Sequence, residues 1–156
     1  MALSIGQQAP HFSLYNSNKE PVTLSEQKGK NVVLLFFPLA FSSVCTAELC
    51  GVRDNIAAYN TVNATVLGIS VDSLYSLAQF KKDQDFSFDL LSDFNKEVSA
   101  SYGALYDEFS YGMRGVSKRA AFVLDGQGII RYAEVLENAG KTPDFDKISE
   151  TLKNLS

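Results

Sequence analysis

Two cysteines five positions apart, Cys45 and Cys50, have the greatest capacity for chemistry in this chain of 156 residues. A cysteine attacks as its thiolate, and in a reducing compartment two cysteines close in sequence are more typical of redox chemistry than of a static disulfide. The sequence holds a single histidine, His11, so it lacks the four Cys or His ligands of a structural zinc site. The pair therefore predicts thiol redox chemistry that needs no metal.

The segment before Cys45 predicts that this residue lies in the first turn of a helix. Residues 31–37 are apolar on both faces, as in a central parallel strand, and Pro38 ends that strand because it has no backbone N–H. The exposed N–H groups at a helix start, together with the helix dipole, favour a thiolate. The alternative is a small buried apolar side chain, because Cys45 also lies on the apolar stripe of its helix. The strand-to-helix context favours the reactive thiolate.

This segment resembles the active-site loop of the peroxiredoxin family. A proline, a hydroxyl residue and a cysteine stand at spacings of four and three, as Pro38, Ser42 and Cys45, and Arg119 opens a later apolar strand as in that family. The position of Cys50 resembles the bacterioferritin-comigratory protein branch. The loop sequence proline-leucine-alanine-phenylalanine resembles a bacterial alkyl hydroperoxide reductase branch. The likeness covers nearly the whole chain, so we expect a single peroxiredoxin domain over residues 1–156.

The resemblance implies a role for each of four residues, with no cofactor. Cys45 would attack the O–O bond of a hydroperoxide and become a sulfenic acid. Arg119 would stabilise the thiolate and polarise the peroxide, which suits a permanently charged group with several donors. Ser42, where the family more often has threonine, would hydrogen bond to the peroxide, and Pro38 would shape and dry the pocket. The plain alternatives are a surface arginine, a helix-capping serine and a strand-ending proline.

Glu48 lies three residues after Cys45, on nearly the same face of the predicted helix. A carboxylate so close would disfavour the thiolate unless a cation pairs with it. In the peroxiredoxin family this position hydrogen bonds within the active-site network, whereas the plain alternative is an acidic residue that complements the helix dipole. Arg53 could brace Glu48 or Cys45, but a solvent-facing arginine is favoured.

The role of Cys50 is left open by the residues themselves. On an ideal helix, residues five apart have Cα atoms about 8–9 Å apart and face about 140° away from each other. A disulfide needs Cα atoms within about 7 Å, so a Cys45–Cys50 bond would require the first helical turns to unwind. The resemblance implies that Cys50 resolves the sulfenic acid in this way and that thioredoxin or a similar dithiol recycles the enzyme. The alternative is an inert Cys50, with an external thiol resolving Cys45.

The elements that position these residues alternate between strand and helix. Apolar periodicity predicts helices at 44–59, from Asp72 or Ser73 to about Lys82, at 95–102 and from Thr142-Pro143 onward, and strands at 12–15, 22–24, 31–37, 65–71, 87–91, 119–125 and 129–136. A strand–helix–strand start favours parallel strands, and the hairpin and helix at the end add antiparallel ones. The prediction is an α/β fold of thioredoxin-like type, with a mixed central sheet and helices on both faces.

Composition and charge restrict the partners. The net charge is −4, and the nearest basic cluster is Arg114, Lys118 and Arg119, which argues against a nucleic-acid partner. No apolar run approaches the roughly 18–20 residues that span a bilayer, and the N-terminus does not resemble a signal peptide. We therefore expect a cytoplasmic protein without a membrane partner, as a monomer or a homodimer.

Two competing functions use the same fold. A thioredoxin-like disulfide reductase has two residues between its cysteines, whereas four lie between Cys45 and Cys50. A redox-dependent chaperone or interaction module would not need the full set of Pro38, Ser42, Cys45 and Arg119. The sequence therefore favours a thiol peroxidase that reduces hydrogen peroxide and organic hydroperoxides.

Overall fold

A five-stranded mixed sheet forms the centre of the protein, which is described by a computed structural model for residues 3–155. In chain order the strands are β1 Ser13–Tyr15, β2 Pro21–Thr23, β3 Asn31–Phe36, β4 Ala64–Ser70, β5 Asp89–Ser92, β6 Arg119–Leu124 and β7 Ile130–Leu136. The order across the sheet is β5-β4-β3-β6-β7, while β1 and β2 form a separate antiparallel pair. Strands β3, β4 and β5 are parallel, and β6 is antiparallel to both β3 and β7. The predicted mixed sheet and the predicted hairpin are confirmed.

Helices cover both faces of this sheet. Among the described residues the α-helices are α1 Ser43–Asp54, α2 Ile56–Thr61, α3 Leu74–Gln84, α4 Glu97–Ser101 and α5 Phe145–Leu155, and short 3-10 turns lie at Leu24–Gln27 and Ser110–Gly112. One hydrophobic core combines α1, α2, α3 and α5 with one face of the sheet. The other core combines α4 and the N-terminal segment with the opposite face. None of the described helices is long and apolar enough to cross a membrane.

Strand β3 is buried along its whole length because it contributes to both cores. Val33 and Leu35 face the core under α1, and Val32 and Leu34 face the opposite core. This alternation explains why its sequence is a continuous apolar run. The central position of β3 fixes where the following loop and α1 begin.

The predicted helix over residues 44–59 is wrong in one respect, because it breaks at Asn55 into α1 and α2. The Asn55 side chain donates to the Gly51 carbonyl at 2.8 Å, and its backbone N–H donates to the Val52 carbonyl three residues back. Asparagine competes in this way with the regular helical hydrogen bonds. The apolar stripe continues across the break, so periodicity alone did not reveal it.

The predicted start of the last helix is also wrong. Pro143 was expected at its first turn, but α5 begins at Phe145. Asp144 caps the helix instead, since its carboxylate accepts the backbone N–H of Lys147 at 3.1 Å. Ser73 rather than Asp72 caps α3, accepting the N–H of Ser76. The other predicted boundaries differ from the structure by one or two residues at an end.

Candidate active site

Strand pairing brings Cys45 and Arg119 together across 74 positions of sequence. Phe36, at the end of β3, pairs with Ala120 in the antiparallel β6, so Arg119 lies beside the point where the chain leaves the sheet. Helix α1 starts a few residues later at Ser43, with Cys45 as its third residue. The predicted position of Cys45 in the first helical turn is confirmed.

The Arg119 guanidinium is the centre of a buried hydrogen-bond network. Nη2 donates to Cys45 Sγ at 3.2 Å, and Nη1 donates to Oε1 of Glu48 at 2.6 Å. The Ala139 carbonyl accepts from both Nη2, at 2.9 Å, and Nε, at 3.2 Å. Arg119 is 1% exposed and Cys45 is fully buried, so the alternative of a surface arginine is excluded. The network holds a fixed cation against the sulfur.

Glu48 shares that cation with Cys45. Burial raises the pKa of Glu48 from its usual 4.5 to about 7, and the charge and hydrogen bond of Arg119 oppose this shift only in part. Within residues 3–155, Oε2 of Glu48 has no hydrogen-bond partner. Burial alone would lower the pKa of Arg119, but the neighbouring Cys45 and Glu48 raise it. One cation thus faces two groups that can each become an anion.

Glu48 is buried and bonded to Arg119, a position that favours the network role over the helix-dipole role. A carboxylate that only complemented the helix dipole would remain in solvent, whereas the Glu48 side chain is 0% exposed and paired. Its geometry is that of a member of the active-site network. Arg53, by contrast, contacts neither Glu48 nor Cys45: it donates to Asp54 and to the Gln84 carbonyl. Arg53 is therefore not a brace for Glu48 or Cys45, but its side chain is half-buried against α3 rather than fully solvent-facing.

Ser42 occupies the N-cap position of α1, but its side chain makes no capping bond. Its hydroxyl donates instead to the Leu39 carbonyl at 2.8 Å, which closes the loop between β3 and α1. The plain alternative for Ser42, a capping serine, therefore holds for its position but not for its side chain, because the hydroxyl turns towards the loop backbone. Pro38 is buried and follows β3 within two residues, in agreement with its predicted place at the strand end.

A cavity of about 480 Å³ opens next to Arg119. Pro38, Leu39 and Ser42 form one side of it, and Tyr106 and Phe109 form an aromatic wall. The loop after β7, residues 137–140, completes the rim. The sequence provided no signal for the contribution of this loop, since its main contact with Arg119 is a backbone carbonyl. A small molecule in this cavity would meet the charged donor of Arg119 on a wall of mixed apolar and polar residues.

Both cysteines are free thiols, and Cys50 is directed away from Cys45. Cys50 lies on the same helix, half-buried, and its Sγ donates to Oε1 of Gln84 at 3.3 Å. Gln84 is the last residue of α3, and the sequence did not identify it. The helix is continuous between the two cysteines, so the geometric obstacle to a disulfide predicted above is present. Within the described residues, no three His, Cys, Asp or Glu side chains converge to form a metal site.

Comparison with known families and curated proteins agrees with this arrangement. The model of the AhpC/TSA family matches residues 5–133. Alkyl hydroperoxide reductase E from Mycobacterium tuberculosis is 38% identical over 136 residues, which covers 85% of this chain and 86% of that protein.

Solved structures match over nearly the full length. Peroxidoxin BcpB from Mycobacterium tuberculosis has a TM-score of 0.87 at 29% identity and covers 99% of both chains. PrxQ from Xylella fastidiosa has a TM-score of 0.87 at 25% identity and covers 99% of this chain and 98% of its own. The predicted thioredoxin-like fold class is confirmed by these likenesses together with the mixed sheet.

Proposed function

The chain belongs to the AhpC/TSA family of peroxiredoxins, and from this membership we propose a thiol peroxidase whose nucleophile is Cys45. The observation that carries the proposal is the 3.2 Å contact between Arg119 Nη2 and Cys45 Sγ in a buried site at a helix start. A fixed guanidinium favours the thiolate and, once substrate is bound, offers donors to the peroxide. Hydrogen peroxide and organic hydroperoxides are the proposed substrates.

The first step is the attack of the Cys45 thiolate on one peroxide oxygen. The S–O bond forms as the O–O bond breaks, so the sulfur is oxidised to a sulfenic acid and the peroxide is reduced. The departing alkoxide takes a proton and leaves as an alcohol, or as water when the substrate is hydrogen peroxide. Arg119 stabilises the charge that moves between the oxygens, Ser42 orients the peroxide at the cavity mouth, and Pro38 limits water.

Resolution of the sulfenic acid is assigned to Cys50. Its thiol attacks the Cys45 sulfenic acid, which forms a disulfide and releases water. The two residues lie five apart on α1, so this step requires the helix to unwind locally. Thioredoxin or a similar dithiol then reduces the disulfide by thiol exchange and is itself oxidised. The free state of both cysteines is compatible with the start of such a cycle.

The remaining assignments follow from this cycle. A protein that depends on a dithiol reductant is best placed in a reducing compartment, so we assign it to the cytoplasm. We assign residues 1–156 to one domain, which is supported by the shared use of β3 by both cores. A monomer or a homodimer fits the cycle equally, and neither a nucleic acid nor a membrane takes part in it.

The proposal is tested by steady-state peroxide consumption with a thioredoxin system and, separately, with dithiothreitol. Wild-type protein is expected to turn over with both reductants, and Cys45→Ser is expected to keep no more than a few per cent of that activity. Cys50→Ser should be slow with thioredoxin yet retain the first oxidation. Equal turnover of Cys50→Ser and wild type with thioredoxin would indicate a one-cysteine enzyme resolved by an external thiol. Reduction of insulin disulfides without peroxide consumption would instead indicate a disulfide reductase.

A further inference from the structure

Gln84 connects the end of α3 to α1 through two separate hydrogen bonds. Its side-chain Oε1 accepts from Cys50 Sγ at 3.3 Å, and its backbone carbonyl accepts from Arg53 Nη1 at 2.7 Å. Cys50 and Arg53 lie on neighbouring turns of α1, close to the part that must unwind before Cys50 can reach Cys45. Both bonds join α1 to an element that has no part in the Cys45–Arg119 network.

The bond to Cys50 has a direct chemical consequence. The Cys50 thiol is the donor and Gln84 Oε1 is the acceptor, so the contact holds the Cys50 sulfur beside α3. Arg53 lies close enough to interact with Cys50, and Asp54 and Asp85 interact with the same guanidinium. The Arg53 guanidinium is held by Asp54 through Nε and by the Gln84 carbonyl through Nη1. The Cys50 sulfur is thus held on the side of α1 that faces α3.

We propose that Gln84 is a positioning residue that restrains Cys50 and thereby sets the rate at which the Cys45 sulfenic acid is resolved; this rests on the resolving role proposed for Cys50. Two changes must precede the attack: the Sγ–Gln84 bond must break, and the adjacent turns of α1 must open. The first change is local, because it breaks only the hydrogen bond between Cys50 and the Gln84 side chain. Removal of this acceptor speeds resolution without altering the reaction of Cys45 with peroxide.

The rate of resolution also decides the fate of Cys45 in excess peroxide. A Cys45 sulfenic acid that Cys50 has not yet resolved can react with a second hydroperoxide, which yields a sulfinic acid and one further alcohol. The restraint by Gln84 therefore sets the peroxide concentration at which Cys45 is lost to over-oxidation. A weaker restraint protects the enzyme, and a stronger one makes it more sensitive.

Three substitutions separate this role from a merely structural one. Gln84→Leu keeps similar bulk and removes the acceptor. Gln84→Glu replaces the amide oxygen by a charged acceptor, which binds the Cys50 thiol more strongly. The matched control is Gln79→Leu, on the same helix, where the exposed wild-type side chain donates to Asp83 of its own helix at 2.7 Å. The backbone bond from Arg53 to residue 84 is retained in all three. A purely structural Gln84 would be disturbed by both of its replacements in the same direction.

The first measurement is the alkylation rate of Cys50 with iodoacetamide in a Cys45→Ser background, where it is the sole cysteine. We expect Gln84→Leu to react about fivefold faster, which corresponds to about 1 kcal/mol for one lost hydrogen bond. Gln84→Glu should react more slowly than the parent, and Gln79→Leu should match it. Equal rates in all four proteins, or acceleration by both Gln84 replacements, would overturn the proposal.

The second measurement follows disulfide formation in proteins with both cysteines after one equivalent of hydrogen peroxide, by acid quench and intact mass. We expect the Cys45–Cys50 disulfide to form about fivefold faster in Gln84→Leu and more slowly in Gln84→Glu, with equal rates of the first oxidation. The absence of an internal disulfide in wild type would overturn the resolving role of Cys50, and this proposal with it. A disulfide that forms at one rate in wild type, Gln84→Leu and Gln79→Leu would overturn the role of Gln84 alone.

Discussion

Arg119 and Glu48 form a buried ion pair in which Nη1 lies 2.6 Å from Oε1, and the same guanidinium contacts Cys45 through Nη2. The Arg119 cation therefore pairs with both Glu48 and Cys45, so a change in the charge of one group affects the other. This sharing distinguishes the site from a simple cysteine–arginine pair. It leads to separate expectations for activity and for stability.

Loss of Arg119 should affect catalysis through its contact with Cys45 and stability through its contact with Glu48. We expect Arg119→Ala to lower kcat/KM for hydrogen peroxide by at least about 10²-fold, because a fixed donor at the reacting atoms is removed. It should also destabilise the protein by about 3–5 kcal/mol at pH 8, because Glu48 is left buried without its counter-ion. Peroxide kinetics and urea denaturation measure the two effects.

The double variant Arg119→Ala/Glu48→Gln is the control for that experiment. It removes the uncompensated carboxylate, so most of the lost stability should return while the activity should not. Recovery of activity along with stability would contradict the direct role of Arg119 at Cys45.

The raised pKa of Glu48 predicts that stability declines as the pH rises. Its pKa is about 7 in the folded protein against 4.5 normally, so between these values the folded state holds a proton that the unfolded state has released. The free energy of unfolding should therefore fall from about pH 4.5 to about pH 7, by about 3 kcal/mol in total, and then level off.

The measurement is urea denaturation at several pH values in a Cys45→Ser background, which removes titration of the neighbouring sulfur. A Glu48→Gln version of the same protein should lack this decline, because an amide does not titrate. Identical pH profiles for the two proteins would show that folding does not raise the pKa of Glu48.

Ser42 should matter for turnover and not for helix stability. Its hydroxyl lines the cavity and makes no capping bond to α1, so Ser42→Ala should lower kcat/KM by about tenfold, as expected for one lost hydrogen bond in the transition state, with little change in melting temperature. Ser42→Thr should retain activity, since the hydroxyl is kept. Ser43→Ala, which alters the neighbouring serine of the same rim, is the control and should behave as wild type. A melting temperature that falls while kcat/KM stays constant would assign Ser42 to the fold instead.

Oxidation should loosen the first part of α1. A Cys45–Cys50 disulfide cannot form on an intact helix, so the oxidised protein should exchange its amide hydrogens faster over residues 44–53. Thermal stability should fall as well, because Leu49 and Val52 leave the core that they share with α5. Hydrogen exchange of reduced and oxidised protein measures this change, with α4, which packs in the opposite core, as an internal reference. Unchanged protection over residues 44–53 in a protein whose disulfide is verified by mass would contradict the unwinding.

The sequence predicted those parts of the structure that have a recognisable local pattern of residue types. The apolar run of β3, with Pro38 and Ser42 before Cys45, has a local pattern, and the resemblance supplied Arg119 at a distance of 74 positions. Other parts depend on backbone atoms or on long-range packing. The Ala139 carbonyl that binds Arg119 is a backbone group, so no residue type indicates this contact in the sequence. The contact between Cys50 and Gln84 depends on how α1 and α3 pack.

The helix break at Asn55 also depends on a hydrogen bond to a backbone atom and on packing. Asparagine is tolerated on many helices, and only its bond to Gly51 together with the local packing turns it into a helix end. Periodicity indicates which face of a helix is buried, and here that face continues across both α1 and α2.

The central claim is that the sulfur of Cys45 takes one oxygen atom from the hydroperoxide. The most direct measurement is a single turnover, in which reduced protein receives one equivalent of hydrogen peroxide without reductant and is then examined by intact mass and peptide mapping. Cys50→Ser should consume the peroxide and gain one oxygen atom on Cys45, while wild type should form the internal disulfide. Cys45→Ser should consume almost none over the same time. Full consumption of the peroxide by Cys45→Ser, or oxygen found on Cys50 in place of Cys45, would contradict the account.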